Sequence, residues 1–163
     1  MIGNDIVDLA LASLQSNWRR AGYLDKLFTQ KEQDYILQAP NPDVMVWTLW
    51  TMKEAVYKII IQQNGQRGYY PLRIATTDLG SGIMRFENQV YFTQTKVTSD
   101  CIHTVALTTT LFDNVKELTK PCEVIKIGEV PYALLNTTKQ PISKSHHGRF
   151  VKVVTLKDFD LNS

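Results

Sequence analysis

Trp50-Thr51-Met52-Lys53-Glu54-Ala55-Val56-Tyr57-Lys58 lies within the segment 42–63, whose periodicity is that of one long helix. Val44, Trp47, Leu49, Met52, Val56, Ile59 and Ile60 form a broad apolar stripe, and Val46, Trp50 and Ile61 widen it. Such a helix is expected to be buried on most sides. Pro42 suits its first turn and Asn64-Gly65 its C-terminal stop. Working backwards, Thr29-Gln30-Lys31-Glu32 has the spacing of a capping box and opens a helix running to about Gln38. Asp8–Ser16 and Asn17–Leu27 read as two further helices, and Met1–Val7 as a short buried strand interrupted by Gly3-Asn4-Asp5. Working forwards, the character changes after Gly68. Leu72–Thr76, Gly82–Glu87, Gln89–Val97, Cys101–Thr110, Val124–Ile127 and Arg149–Leu156 are rich in β-branched and aromatic residues and separated by turn residues. The expectation is an α+β fold: an N-terminal strand and helices, including one long buried helix, packed on a mostly antiparallel sheet. The stretch 120–141 has no clear period.

With 163 residues, the chain has the size of one domain, expected to span 1–163. Hydrophobic residues make up 44% and charged residues 21%, which argues against disorder and against a disulfide scaffold. Cys101 and Cys122 form no C-x-x-C pair and read as thiols of a cytoplasmic protein. Met1–Leu14 carries Asp5 and Asp8 and lacks a basic start, unlike a signal peptide. No apolar run approaches the ~18 residues of a membrane span. A net charge of +2 is not the footprint of a nucleic-acid binder, so recognition of an anion has to come from a local cluster.

Three segments could carry chemistry. Asp5 sits in an apolar strand, where a carboxylate either caps a neighbouring helix or binds a divalent metal; Gly3 would allow close approach of another backbone. Glu54 and Lys58 are four apart on one helical face. They are either a surface ion pair or, flanked by Trp47 and Trp50, a metal-binding carboxylate beside a phosphate-binding ammonium. Pro141–Val151 gathers Ser143, Lys144, Ser145, His146, His147, Gly148 and Arg149, which make either a solvated hairpin or an anion cradle. His103 reads as a hydrogen-bonded strand residue. Arg19, Arg20 and Lys26 form a small basic face, either solvated or able to dock an acidic protein. P-loop, dinucleotide-binding and serine-hydrolase signatures are absent from the sequence.

Together these segments resemble the 4′-phosphopantetheinyl transferase superfamily, in its holo-acyl-carrier-protein synthase branch. Ile2–Leu9 is similar to the G-x-D-I-V strand, Leu27–Glu32 to the F-T-x-x-E helix start and Trp50–Lys58 to the W-[ST]-x-K-E-A-x-x-K helix. Ile142–Val151 is similar to an S-x-S-H-x-G-R-[FWY]-V segment. The resemblance implies a cytoplasmic enzyme of fatty-acid or related biosynthesis that moves 4′-phosphopantetheine from coenzyme A to a serine of an acyl carrier protein. It implies Mg²⁺ held by Asp5 and Glu54, with Glu54 helping to remove the serine proton and Lys58 stabilising the pyrophosphate. It implies contacts to coenzyme A from Lys53, Lys58, Ser145, His146 and Arg149, with His103 the alternative to His146, and carrier docking on Arg19, Arg20 and Lys26. The synthase branch is typically trimeric, so a homotrimer is one expectation and a monomer another. A relative that binds coenzyme A or a carrier without turnover is the alternative function. Two departures stand out. Asn4 replaces an aliphatic residue of the family pattern, and 113–140 is expected to be an insertion relative to the small synthases.

Overall fold

The computed structural model describes residues 1–65, 67–120, 122–135 and 138–157. The first strand, β1 (Ile2–Asp8), ends on Asp8, whose carboxylate accepts from Ala10 N and Leu11 N and so caps α1 (Leu9–Gln15). The expected second helix is shorter than its pattern suggested. Gly22, with φ +75°, stands at the N-cap of α2 (Tyr23–Leu27), and residues 17–22 form turns. Thr29 and Glu32 complete the capping box of α3 (Gln30–Gln38). Asn41 caps α4 (Pro42–Asn64), which stops at Gly65 with φ +66°. A left-handed residue there ends the helix at no steric cost for glycine.

Two antiparallel five-stranded sheets follow from the remaining strands. The first has the order β1-β5-β4-β3-β2, built with β2 (Ala75–Asp78), β3 (Ile83–Phe86), β4 (Gln89–Val97) and β5 (Cys101–Leu107). The second has the order β6-β10-β9-β8-β7, with β6 (Val115–Glu117), β7 (Glu123–Ile127), β8 (Val130–Leu135), β9 (Thr138–His147) and β10 (Phe150–Leu156). The fold is therefore α+β, as expected, but with two sheets where the sequence pointed to one. The segment expected to be an insertion, 113–140, supplies β6, β7, β8 and the start of β9. Positions 121, 136 and 137 of that segment, and 158–163 of the expected domain, lie outside the described residues.

The main core lies between α4 and the first sheet. Val46, Leu49, Ala55, Val56 and Ile59 of α4 are fully buried with Ile36, Ile74, Met84 and Ile102. Along β1 the alternation of side chains divides labour. Odd positions face α4: a Cβ on Gly3 would stand 2.0 Å from Ala55 O, so only glycine lets the strand lie this close to the helix. Even positions face the second sheet: Ile2 forms a smaller core with Val105, Leu107 and Val154. β1 is an edge strand, and β9 runs beside its unpaired edge in the same direction. The link there is made by side chains. Asn4 N donates to Ser143 Oγ (2.8 Å) and Asp8 N to His147 Nδ1 (2.9 Å). This satisfies donors that an exposed edge would leave open to another chain.

Candidate active site

Because odd positions of β1 face α4, Asp5 meets the Glu54–Lys58 face of the long helix. Asp5, Glu54, Trp47, Trp50, Tyr23, His146 and His147 line one cleft of about 280 Å³. Three distant stretches of sequence are thus brought together: the N-terminal strand, the middle of α4 and the end of β9. Lys58 stands at the back of this group. Its Nζ donates to Asn4 O (2.5 Å), to Asp5 Oδ1 (3.3 Å) and to Lys144 O (3.3 Å), so it bridges β1 and β9.

The two carboxyls are held in an unusual state. Burial raises Asp5 above the ordinary carboxylate value, and Lys58 only partly opposes it. Glu54 is raised to about 7, first by burial, then by the nearby Asp5, with Lys58 opposing. Glu54 makes no hydrogen bond or ion pair among the described residues. Once ionised, the unpartnered Glu54 carboxylate beside the Asp5–Lys58 pair adds one negative charge to the cleft, which a divalent cation would offset. The donor set fits a hard ion that takes one or two carboxylates and keeps water in its other positions. It does not suit an ion that needs three or more protein ligands, since no group of three His, Cys, Asp or Glu is placed for metal binding among the described residues.

Several residues expected at the site are elsewhere. Lys53 is 2% exposed and points to the far side of α4 from Asp5, where its Nζ meets Glu32 (2.7 Å), Pro71 O (2.6 Å) and Ile74 O (2.6 Å). Its three protons are taken, leaving none for a phosphate; burial pulls its ammonium below the usual lysine value although Glu32 favours the charge. Ser145 is buried, its Oγ accepting from Asn4 Nδ2 (3.0 Å), because alternation along β9 turns it towards β1. Arg149 is committed to Asp8: its N, Nε and Nη2 donate to the two carboxylate oxygens at 2.9–3.1 Å. The pairing holds the Asp8 carboxyl well below the usual range. His103 does not line the cleft. Its Nε2 meets Asn4 Nδ2 (3.1 Å) between the sheets, and burial there lowers it to about 4. Of the basic face, Arg19 forms a bidentate pair with Asp43 (2.8 and 2.9 Å) over the Trp18 ring, which offsets its charge. Arg20 stacks on Tyr23, a residue of the cleft, and Lys26 is exposed.

Two contacts go beyond the sequence reading: His147, there one member of a possible anion cradle, accepts from Asp8 N, and Asp8, there a helix start, also pairs with Arg149. The signal for Asp8 was its place three residues after Asp5, at the end of an apolar strand. Its partnership with a residue 141 positions away left no local trace.

The cleft thus sets two neighbouring carboxyls, one on β1 and one on α4, beside the Lys58 ammonium in an α+β fold. The family model of the 4′-phosphopantetheinyl transferase superfamily matches residues 1–110, and the chain belongs to that superfamily. That family's reaction is phosphopantetheine transfer, with coenzyme A as substrate and typically a divalent metal. The matched region includes Asp5, Glu54 and Lys58 but stops before the second sheet and His146. No curated protein matches the chain. Among the described residues no helix is long and apolar enough to cross a membrane.

Proposed function

We propose that the chain transfers 4′-phosphopantetheine from coenzyme A to a serine of an acyl carrier protein, with Mg²⁺ as the ion, in the manner of a holo-acyl-carrier-protein synthase. The observation that carries this reading is the unpartnered Glu54, raised to about 7 beside Asp5 and within the field of Lys58. Asp5 and Glu54 would hold Mg²⁺, which when bound supplies charge neutralisation on the pyrophosphate. Glu54, the carboxyl that no protein group engages among the described residues, is the one free to act as general base toward the carrier serine. Glu54 takes the proton of the carrier serine as its oxygen forms a bond to the phosphorus that bears pantetheine. The bond from that phosphorus to the bridging oxygen breaks, and adenosine 3′,5′-bisphosphate leaves with the bond's electron pair. Lys58 stabilises charge on the pyrophosphate. Its short bond to Asn4 O holds the ammonium, while its two 3.3 Å contacts are the ones a phosphate oxygen can replace.

His146, exposed at the rim of the cleft, is the contact to coenzyme A that this geometry favours over His103. The cleft shares Ser16 and Trp47 with a larger groove of about 600 Å³ that reaches Leu14 and Arg19. Arg20, stacked on Tyr23 at the cleft, flanks this side of the chain, so an acidic carrier would approach there. One chain brings its own second sheet to the cleft, which favours a monomer over a trimer with shared sites. A cytoplasmic location follows from the substrates. The test is incubation with coenzyme A, Mg²⁺ and apo carrier proteins, read by mass spectrometry. Phosphopantetheine addition is expected for the wild type and its loss for Asp5→Asn and Glu54→Gln. Full transfer by either variant would overturn the metal assignment, and no transfer to any carrier of the source organism would overturn the reading.

A further inference from the structure

The turn between β9 and β10 is tied to the end of β1 by more bonds than a hairpin needs. Gly148, with φ +53°, brings the turn so close that a Cβ would stand 2.5 Å from Asp8 Oδ2. Arg149 then grips Asp8 through its backbone N, Nε and Nη2. Such a forked, charge-assisted contact fixes orientation as well as distance. The strand position it fixes is that of His147, whose Nδ1 accepts the backbone N–H of Asp8 at 2.9 Å.

That hydrogen bond has a chemical consequence. A ring nitrogen that accepts carries no proton, so the imidazole is the tautomer with its hydrogen on Nε2. Nε2 has no hydrogen-bond partner among the described residues, and the side chain lines the cleft with Asp5 and Glu54. We propose that His147 is a substrate-binding residue whose Nε2–H is a pre-set donor to an anionic oxygen in this cleft, with Asp8 and Arg149 as the residues that position it. The ligand class is a phosphate or pyrophosphate ester, which rests on the transferase reading above.

Two substitutions separate the parts. His147→Asn keeps an acceptor near the Nδ1 position and loses the distal donor; His147→Gln keeps a donor near Nε2 and loses the anchor. Calorimetric titration with coenzyme A and Mg²⁺ should show His147→Asn binding about 10- to 100-fold more weakly, the range for one hydrogen bond to a charged group. His147→Gln should lose less. Asp8 also caps α1, so Arg149→Ala is the safer probe of the latch; it should raise the KM for coenzyme A with kcat largely kept. An independent readout is the long-range proton–nitrogen correlation spectrum of the histidines in the wild-type protein, where His147 should show the Nε2–H pattern. The Nδ1–H pattern, or His147→Asn binding like the wild type, would overturn the proposal. A wild-type protein that binds no coenzyme A would instead overturn the transferase reading on which it rests.

Discussion

Replacing Lys53 with methionine should damage the fold, not the binding of substrate. The lysine side chain, 2% exposed, projects from α4 against a Glu32 side chain that is 0% exposed. Methionine fills nearly the same volume but removes the charge. Glu32 would keep the N–H donors of Thr29 and Thr76, both at 2.8 Å, and lose its counter-charge. The carbonyls of Pro71 and Ile74 would each lose a donor. Removing one partner of a buried ion pair costs about 3–5 kcal/mol. With a urea slope of about 2 kcal/mol per molar, the unfolding midpoint should drop by ~1.5–2.5 M at constant slope. Adding Glu32→Gln in the same chain should restore part of the loss, because a pair removed whole leaves no unpaired charge behind. Protein that remains folded in buffer should still bind coenzyme A close to wild-type strength. An unchanged midpoint together with lost coenzyme A binding would refute this reasoning and return Lys53 to the substrate.

Three further outcomes follow from other contacts. The Glu54 carboxyl has a folded pKa raised from 4.5 to about 7, so its contribution to stability is fully present below 4.5 and lost as pH rises through 7. Without metal, the stability difference between wild type and Glu54→Gln should therefore fall across that window, by at most roughly 3 kcal/mol and less after solvent screening. Thermal melts at several pH values check it, and a pH-independent difference would count against the assignment. Gly3→Ala should destabilise by about 1–3 kcal/mol or prevent folding, because the added Cβ meets Ala55 O at 2.0 Å and neither strand nor helix backbone can yield cheaply. Denaturant unfolding measures this, and a neutral effect would show that β1 does not lie against α4. Asn4→Ile, which restores an aliphatic residue, should cost about 1–3 kcal/mol because Ser145, His103 and Lys152 O each lose a partner; chemical unfolding reads it, and a stabilised variant would refute the network.

What the sequence made legible was whatever is encoded locally. The capping box at Thr29, the Pro42 start and the Gly65 stop of α4 are interactions within a few residues, and the structure has them where the spacing put them. β4 was read to the residue because its alternation is one-sided. β8 and the start of β9 were not legible for the opposite reason. They lie in a sheet whose strands are largely half-exposed, so Val130–Leu135 and Thr138–His147 have little hydrophobic period to show. At the site, Asp5, Glu54 and Lys58 could be singled out because a charge in an apolar strand and a charged pair beside two tryptophans are anomalies in one dimension. The fates of Lys53, Ser145 and Arg149 were decided by Glu32, Asn4 and Asp8, partners 21, 141 and 141 positions away. A basic residue next to a conspicuous carboxylate looks the same in sequence whether it faces a ligand or a buried ion-pair partner.

Asn4 ties these two halves of the problem together. In an edge strand whose even face met only apolar groups, an aliphatic residue would serve. Here that face meets β9 and β10, and the Asn4 amide nitrogen has Ser145 Oγ, His103 Nε2 and Lys152 O within 3.0–3.3 Å. Among the described residues its Oδ1 is buried without a partner, so this arrangement costs something and is not simply the most stable filling of the space. The same residue's backbone carbonyl holds Lys58, and Lys144 O on β9 approaches that ammonium from the other side. The position of the Lys58 ammonium therefore depends on where the second sheet docks. Docking through polar side chains along β1 fixes β9 in one register, since a slip would present alternate residues to Asn4 and Asp8. A purely apolar contact of the same area would tolerate the slip, and with it a displaced Lys58 and a cleft missing His147.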